Sequence, residues 1–467
     1  MINVRFFYFF ILIFINNVIN INAFITTTCP QNIAIVGSGY VGIVSGAGLA
    51  ELGHNVVCLD IDEKKINTLN QGKMPIYEPG LEELVLKNID NKQLYFSSDI
   101  ESNLRNASII IIAVGTPMGD DGNANLSALW AVVDSIAKVL KPGNHKLVCI
   151  KSTVPIKTHN KVQQRLSTLV EPGASYNIIS NPEFLREGSA INDFFFQNPI
   201  VLGGDNEKAL ECMVSIYEPL IKNGSLLIKT DNASAEMIKY AWNAYSAIKI
   251  SYINQLSLLC NKVDANIVSV IQGIAQSEKL LPISKVRPGP GFGGSCLPKD
   301  TAAFAVLAQH WGIDLSLVKE ARNANVIHKQ NIVESFIDLC SGSVKDKKIG
   351  ILGLAFKANT DDIRYSPALD IIPQLLQEGA LIYAYDPKAM DNMKKELPSI
   401  QYAQDVYGVI DNADALLVLT EWDEFKHIDI EYIKDHMKNA VLMDTRNVFD
   451  GKLLSIHGIF HKSLGYK

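Results

Sequence analysis

Cys296 lies in Pro288-Gly-Pro-Gly-Phe-Gly-Gly-Ser-Cys-Leu-Pro-Lys-Asp300, a loop holding four glycines and three prolines. Most cysteines are inert core fillers, and Cys29, Cys58, Cys149, Cys212, Cys260 and Cys340 are read that way. Cys296 differs, because residues without bulk precede it and permit close backbone approach. Lys299 would favour its thiolate, and Asp300 would act as a base or orient a water. A thiolate so placed is a nucleophile. Beside a nicotinamide it has a specific use: an aldehyde must gain a nucleophile before it can surrender a hydride. The oxidised product is then a thioester, and water turns it into a carboxylate.

Such chemistry needs a bound hydride acceptor. Asn32-Ile-Ala-Ile-Val36 reads as a strand, and Gly37-Ser-Gly39-Tyr-Val-Gly42 follows it, leading into small and apolar residues at helical spacing as far as Leu52. This is the dinucleotide fingerprint in its required context. Gly37 allows the tight turn, Gly39 lets the backbone approach a pyrophosphate, and Gly42 lets the helix pack on its strand. Val56-Val-Cys-Leu59 reads as the second strand and ends at Asp60. A carboxylate at about this offset accepts hydrogen bonds from an adenosine ribose, which favours NAD over NADP. Lys64 and Lys65 weaken that preference, since a nearby cation would tolerate a ribose phosphate. The runs Ser108–Val114 and Lys146–Ile150 are buried strands that break at Gly115-Thr116-Pro117 and at Lys151-Ser-Thr153-Val-Pro155. Thr116 and Thr153 thus share the sheet edge where open α/β folds bind ligands.

The pattern recurs downstream. Lys348-Ile-Gly-Ile-Leu352 enters Gly353-Leu-Ala-Phe-Lys357, Leu381–Tyr385 ends at Asp386, and Ala415–Thr420 echoes the strand at Ile109. Fewer glycines, with Lys357 and Arg364 added, suit a phosphate-bearing substrate better than a second dinucleotide. Between the copies, Ala233 to Val263 contains no Pro or Gly and carries apolar residues at helical intervals, which predicts one helix of roughly 46 Å. Such a helix can join two domains and serve as a subunit interface. Lys239 and Asn243, four apart, share one of its faces. The expected architecture is α/β, with two Rossmann-like doubly wound domains joined by a long central helix and a small helical domain. The expected boundaries are 1–31 for a leader, 32–210 for the dinucleotide domain, 211–325 for the central helices and 326–467 for the second nucleotide domain.

Composition bounds the alternatives. A chain of 467 residues suggests about three domains. With 48% hydrophobic and 20% charged residues it is neither disordered nor fibrous. A net charge of −6 supplies no cation excess for nucleic acid. The nine histidines show no metal-ligand spacing, so no metal is expected. Seven cysteines without close pairs point to a reducing, cytoplasmic setting. Arg5 followed by the apolar run Phe6–Ile15 resembles a secretory signal, which leaves export open, and is too short for a stable membrane span.

Nine motifs in order carry a resemblance. They are Gly37–Gly42, Met74-Pro-Ile-Tyr-Glu-Pro-Gly-Leu81, Val114-Gly-Thr-Pro117, Lys151–Pro155, Asn181-Pro-Glu-Phe-Leu-Arg-Glu-Gly188, Ala235-Glu-Met-Ile-Lys-Tyr240, the Cys296 loop, Phe356–Arg364 and Thr420-Glu-Trp-Asp-Glu-Phe425. Together they resemble the UDP-glucose/GDP-mannose dehydrogenase family, on its UDP-glucose side. The resemblance implies oxidation of the glucosyl C6 hydroxyl of UDP-glucose to a carboxylate with two NAD⁺, giving UDP-glucuronate, in a homodimer or higher oligomer built on the central helix. A GDP-mannose or UDP-N-acetylhexosamine enzyme is the alternative. By the same resemblance Cys296 is the nucleophile, Lys239 with Asn243 steadies the oxyanion, Thr153 with Glu183 positions a water, and Asp300 assists hydrolysis. Glu183, Phe184, Leu185, Lys239, Asn243, Phe292, Gly293 and Lys357 would hold the nucleotide sugar. Gly37, Gly39, Tyr40, Val41, Gly42, Asp60, Lys65, Thr116, Thr153, Glu187, Lys299 and Arg364 would hold NAD. Many relatives carry Asp-x-Arg-Ile-Gly before the thiol loop, with an Arg that reaches the sugar across the dimer. Here Ser277-Glu-Lys-Leu-Leu281 offers Lys279, a point charge in place of a bidentate fork.

Overall fold

A computed structural model describes residues 29–197, 199–277 and 286–465. The leader-like run before Thr28 and the Lys279 position lie outside the described residues. The chain divides into two compact units. One is built from the chain up to Thr116 with Leu126–Glu236, the other from Pro117–Asn125 with Met237 onward.

The first unit contains eight strands: β1 (Asn32–Val36), β2 (Asn55–Leu59), β3 (Leu94–Ser97), β4 (Ile109–Ile112), β5 (His145–Ile150), β6 (Ser175–Ser180), β7 (Ile200–Gly203) and β8 (Leu227–Thr230). They lie in the order β3-β2-β1-β4-β5-β6-β7-β8. Neighbours are parallel except β6 and β7, which meet antiparallel at Ser180 and Gly203. Alternation along β1 explains its unbroken apolar run: Ile33 and Ile35 enter one core, Ala34 and Val36 the other. A strand buried on both faces has no polar side to show. Ile109 and Ile111 of β4 divide from Ile110 and Ile112 in the same way.

The second unit repeats the winding with β9 (Lys348–Leu352), β10 (Leu381–Tyr385), β11 (Gln401–Tyr402), β12 (Ala415–Val418), β13 (Val441–Asp444) and β14 (Phe460–Ser463). Their order is β11-β10-β9-β12-β13-β14, all parallel. In both sheets the order reverses beside the first strand, which opens a crevice at its carboxyl end. The predicted strands Ser108–Val114 and Ala415–Thr420 are shorter than their apolar runs, because the last residues leave the ladder for that edge.

The helix Asn232–Val263 has 32 residues, with no Pro or Gly to interrupt it. Asp231 starts it by accepting from the Ser234 amide at 2.8 Å. Its residues through Glu236 belong to the first unit and those from Met237 to the second. No helix among the described residues is long and apolar enough to cross a membrane. Cys58, Cys149, Cys260 and Cys340 are buried, as core fillers should be, but Cys29 is exposed and Cys212 partly so. Cys212 packs partly exposed against the core of the first unit, whereas Cys29 stands at the surface, so the core-filler reading is corrected for Cys29. Burial pushes the Cys58 and Cys149 thiols up to about 12 and Cys340 to about 11, so they stay protonated.

Asp386, at the end of β10, is completely buried. Its Oδ2 accepts from the amides of Leu354 (2.7 Å) and Ala355 (3.0 Å) and from the Trp422 indole (3.0 Å). Its Oδ1 accepts from the amides of Lys388 (2.9 Å) and Ala389 (2.8 Å). Five donors therefore converge on one carboxylate. In Asp386→Asn the new NH₂ would face N–H groups whichever way the amide turned. The midpoint of chemical unfolding, followed by circular dichroism, is expected to fall by the equivalent of about 2–4 kcal/mol. An unchanged midpoint would show that the five bonds are replaceable.

Candidate active site

The turn after β1 is shaped by sterics. Gly37 has φ +106°, and a Cβ there would lie 2.6 Å from the carbonyl oxygen of Ala113 at the end of β4. A Cβ at Gly42 would lie 1.8 Å from the carbonyl oxygen of Gly37, whereas one at Gly39 would meet nothing within 4 Å. Gly37 and Gly42 are thus forced by packing, and Gly39 keeps an open side. The helix Tyr40–Glu51 begins without a side-chain cap. The buried Ser38 hydroxyl has no partner among the described residues. Uncapped amides, an open glycine and an unsatisfied hydroxyl at one helix N-terminus fit the pyrophosphate of NAD.

Asp60 ends β2 beside this turn. Its Oδ2 accepts from the Ser38 amide at 3.0 Å and pairs with the Lys65 ammonium at 2.8 Å, and its Oδ1 accepts from the Asp62 amide at 3.1 Å. Burial alone would raise this carboxyl, but Lys65 and the two amides hold it below its ordinary value. It is therefore an ionised acceptor. Pairing with Asp60 directs the Lys65 charge to that carboxylate and away from a ribose phosphate.

Three further strand ends follow along the edge. After β4, the Thr116 hydroxyl donates to the Thr153 carbonyl at 2.8 Å, which ties the ends of β4 and β5 together. After β6, Glu183 is buried and accepts from the Leu185 amide at 2.5 Å, with Phe184 buried beside it. Asn181 fixes the start of this loop, taking the Lys151 ammonium at 3.2 Å and the Tyr217 hydroxyl at 2.7 Å. Glu187 lies farther along the same loop. Its far end is held by Glu78, which accepts from the amides of Gly188 (2.6 Å) and Ala190 (2.8 Å) and from the Tyr40 hydroxyl. Burial, with Glu78 alongside, lifts the Tyr40 phenol far above its usual value, so it stays a neutral donor. Tyr40 and Val41 also pack against the sheet core. Glu78 escapes a reading of the sequence because its partners are 110 and 112 positions away. The only local signal was the Met74–Leu81 motif.

In the second unit, Cys296 is the N-cap residue of the helix Leu297–His310, with Sγ 3.5 Å from the Ser295 hydroxyl. A helix N-terminus favours a thiolate. One turn on, buried Asp300 accepts from the Asn243 amide group at 2.6 Å and pairs through its other oxygen with the Lys299 ammonium. Lys239 is buried one turn before Asn243 on the long helix. The structure thus joins Asn243, Asp300 and Lys299, with Cys296 one helical turn before Asp300.

The thiol loop also lies against the turn that follows β9. A Cβ at Gly293 would lie 2.2 Å from the Tyr365 carbonyl oxygen, and one at Gly294 would lie 2.8 Å from the Phe356 ring. The Gly294 amide donates to the Arg364 carbonyl at 2.8 Å. This places Phe292 and Gly293 next to the segment bearing Lys357 and Arg364. The Lys357 ammonium lies 5.4 Å from the Phe356 ring centroid, and the Arg364 guanidinium forks onto Asp362 at 2.6–3.0 Å. Arg446, which motif reading missed, pins this turn by donating to the carbonyls of Phe356 (2.8 Å) and Leu419 (2.9 Å). It stands after β13 in a stretch without glycines, so no turn pattern announces it.

Comparison with known proteins adds independent findings. The NAD-binding, central and UDP-binding domains of the UDP-glucose/GDP-mannose dehydrogenase family match residues 31–221, 233–326 and 350–451. The chain is 40% identical over 438 residues to the UDP-glucose 6-dehydrogenase of Rhizobium meliloti (strain 1021), covering 93% of this chain and 99% of that one. It is 41% identical over 436 residues to TuaD, a UDP-glucose 6-dehydrogenase of Bacillus subtilis (strain 168), covering 93% of each. Among solved structures, a UDP-glucose dehydrogenase from Pyrobaculum islandicum superposes with TM-score 0.85 at 30% identity, covering 94% of this chain and 99% of that one. A UDP-D-ManNAc dehydrogenase from Pyrococcus horikoshii gives TM-score 0.80 at 26% identity, covering 93% and 99%.

Asp60→Asn removes the charge that would accept the ribose hydroxyls. A charged hydrogen bond contributes about 1.5–3 kcal/mol, so NAD should bind at least roughly tenfold more weakly by calorimetry, while NADP loses less. Unchanged NAD affinity would exclude Asp60 from the ribose site.

Proposed function

Because this chain belongs to the UDP-glucose/GDP-mannose dehydrogenase family, we propose that it oxidises the C6 hydroxyl of UDP-glucose to a carboxylate, giving UDP-glucuronate. The observation that carries the mechanism is Cys296 at a helix N-terminus, one turn from an Asp300 bonded to Asn243. NAD, when bound at the Gly37 turn, supplies the hydride acceptor for both oxidations. In the first, the C6 hydroxyl loses a hydride from carbon and a proton from oxygen. Lys239 and Asn243 stabilise the developing alkoxide, and Thr153 with Glu183 holds the water that relays the proton. The Cys296 thiolate then adds to the aldehyde carbon. A C–S bond forms, the carbonyl pair moves to oxygen, and that oxygen takes a proton to give a thiohemiacetal. Loss of a second hydride from C6, with the hydroxyl proton, leaves a thioester. Water, assisted by Asp300, attacks C6, and the C–S pair returns to sulfur as the carboxylate forms.

The nucleotide part of the substrate belongs to the second unit, where Phe292, Gly293 and Lys357 meet at the end of β9. The complete use of Asp386 by internal donors sets this turn apart from the Asp60 turn of the first unit, and the match of residues 350–451 to the family's UDP-binding domain supports the assignment. A homodimer or larger assembly on the long helix is supported by Met237, Trp242, Tyr252, Leu259 and Val263, large apolar residues that stand exposed along it. A UDP-N-acetylhexosamine or GDP-mannose substrate is the second reading, favoured by the fold match to the Pyrococcus horikoshii enzyme.

NADH formation with a panel of nucleotide sugars separates these readings, and silence with UDP-glucose alone among them would overturn the first. Cys296→Ser is expected to bind UDP-glucose within about threefold of the parent while acid formation falls at least about a thousandfold. Acid made at the parental rate would remove Cys296 from the mechanism.

A further inference from the structure

A loop rich in glycine and proline cannot hold itself. Pro288 and Pro290 donate no amide, and the glycines have no side chains to pack. In this protein the missing partners come from two helices distant in sequence. From Asn232–Val263, the buried Asn254 accepts the Gly289 amide at 3.0 Å. From Ser316–Leu339, the buried His328 meets the Gly289 carbonyl through Nε2 at 2.8 Å. Asn325 on the same helix grips Phe292 twice: its Oδ1 accepts the Phe292 amide at 2.8 Å, and its Nδ2 donates to the Phe292 carbonyl at 3.0 Å. The loop presses directly on this grip, for a Cβ at Gly291 would lie 2.8 Å from Asn325 Oδ1. On the far side of the thiol, Arg322 donates to the Pro298 carbonyl and, at 3.1 Å, to the Thr301 hydroxyl. Arg322, Asn325 and His328 recur every three residues, so one helix face holds the backbone on both sides of Cys296.

We propose that Asn325, with Arg322 and His328, is a positioning residue that sets the height of the Cys296 thiol for capture of the half-oxidised sugar. The three residues touch neither reacting atom and act through the loop. The inference rests on the reading of Cys296 as nucleophile. It also goes further, because the two oxidations place different demands on the loop. Loss of the first hydride needs no bond to sulfur, while the second requires a thiol within bonding distance of C6. A misplacement of about 1 Å can cost about a hundredfold in such a step. A loosened loop should therefore spare substrate binding and the first oxidation, and the aldehyde should escape before capture.

The test uses full-length Asn325→Leu and Asn325→Asp. The first removes both bonds to Phe292. The second keeps an acceptor for its amide but sets a carboxylate against its carbonyl. Acid, NADH and UDP-linked aldehyde are measured in quenched reactions by mass spectrometry and absorbance, with the rate of Cys296 alkylation by iodoacetamide read from peptides. The expected result is a kcat for acid at least about tenfold lower, KM for UDP-glucose within about threefold, more than two NADH per acid, detectable aldehyde and a changed alkylation rate. Two NADH per acid with an unchanged alkylation rate in either folded variant would overturn the proposal, whatever the overall rate. If Asn325→Leu does not fold, Asn325→Asp decides by the same ratio. Should the parent make no acid, or should Cys296→Ser still make it, the reading of the nucleophile itself fails, and the role proposed for Asn325 falls with it.

Discussion

Backbone polar groups that leave regular structure inside a protein need partners, and this molecule supplies them with single buried side chains. Asp386 collects five donors where the second sheet meets its ligand edge. Glu78 takes two amides and a phenol below the loop that follows Glu183. Asn325 pairs both backbone groups of Phe292 as a neighbouring strand would. In each case the segment held is one that sequence chemistry marks for ligands. Such segments lie outside the helix and strand ladders, and so they depend on partners from elsewhere in the chain.

The two sheets show how one winding serves two ligands. Asp60 and Asp386 occupy equivalent places, each ending the strand beside the first of its sheet. Asp60 bonds one amide of the glycine turn and retains partial exposure, and Lys65 shares its charge. Asp386 meets two amides of its turn, two of the following segment and the Trp422 indole, which shuts it from solvent. The first arrangement leaves an anion partly open at the edge of the sheet. The second consumes the anion in building the turn.

The architecture was legible because its signals are local. Unbroken isoleucines at Ile109–Ile112, the glycines at 37, 39 and 42, and a stretch without Gly or Pro from 233 to 263 each act through residues a few positions apart. The candidate site was legible in part. Thr116 and Thr153 end adjacent strands, as their runs implied, and Lys239 and Asn243 are buried on one helix. What could not be read is pairing across distance. Asn243 reaching Asp300, Arg446 reaching Phe356, and Asn325 reaching Phe292 depend on how distant segments pack, and no spacing rule encodes that. The cysteines make the same point: residue type alone marks all six as core fillers, yet Cys29 is exposed and Cys212 only partly buried.

The crowding at Gly37 and Gly42 bears on how such a chain can change over generations. A single methyl group at either position would collide with backbone, and backbone has no rotamer to move aside. Mutation is therefore blocked at the turn that opens the NAD-binding domain. A lineage built on this scaffold inherits that turn unchanged, whatever else in the chain varies.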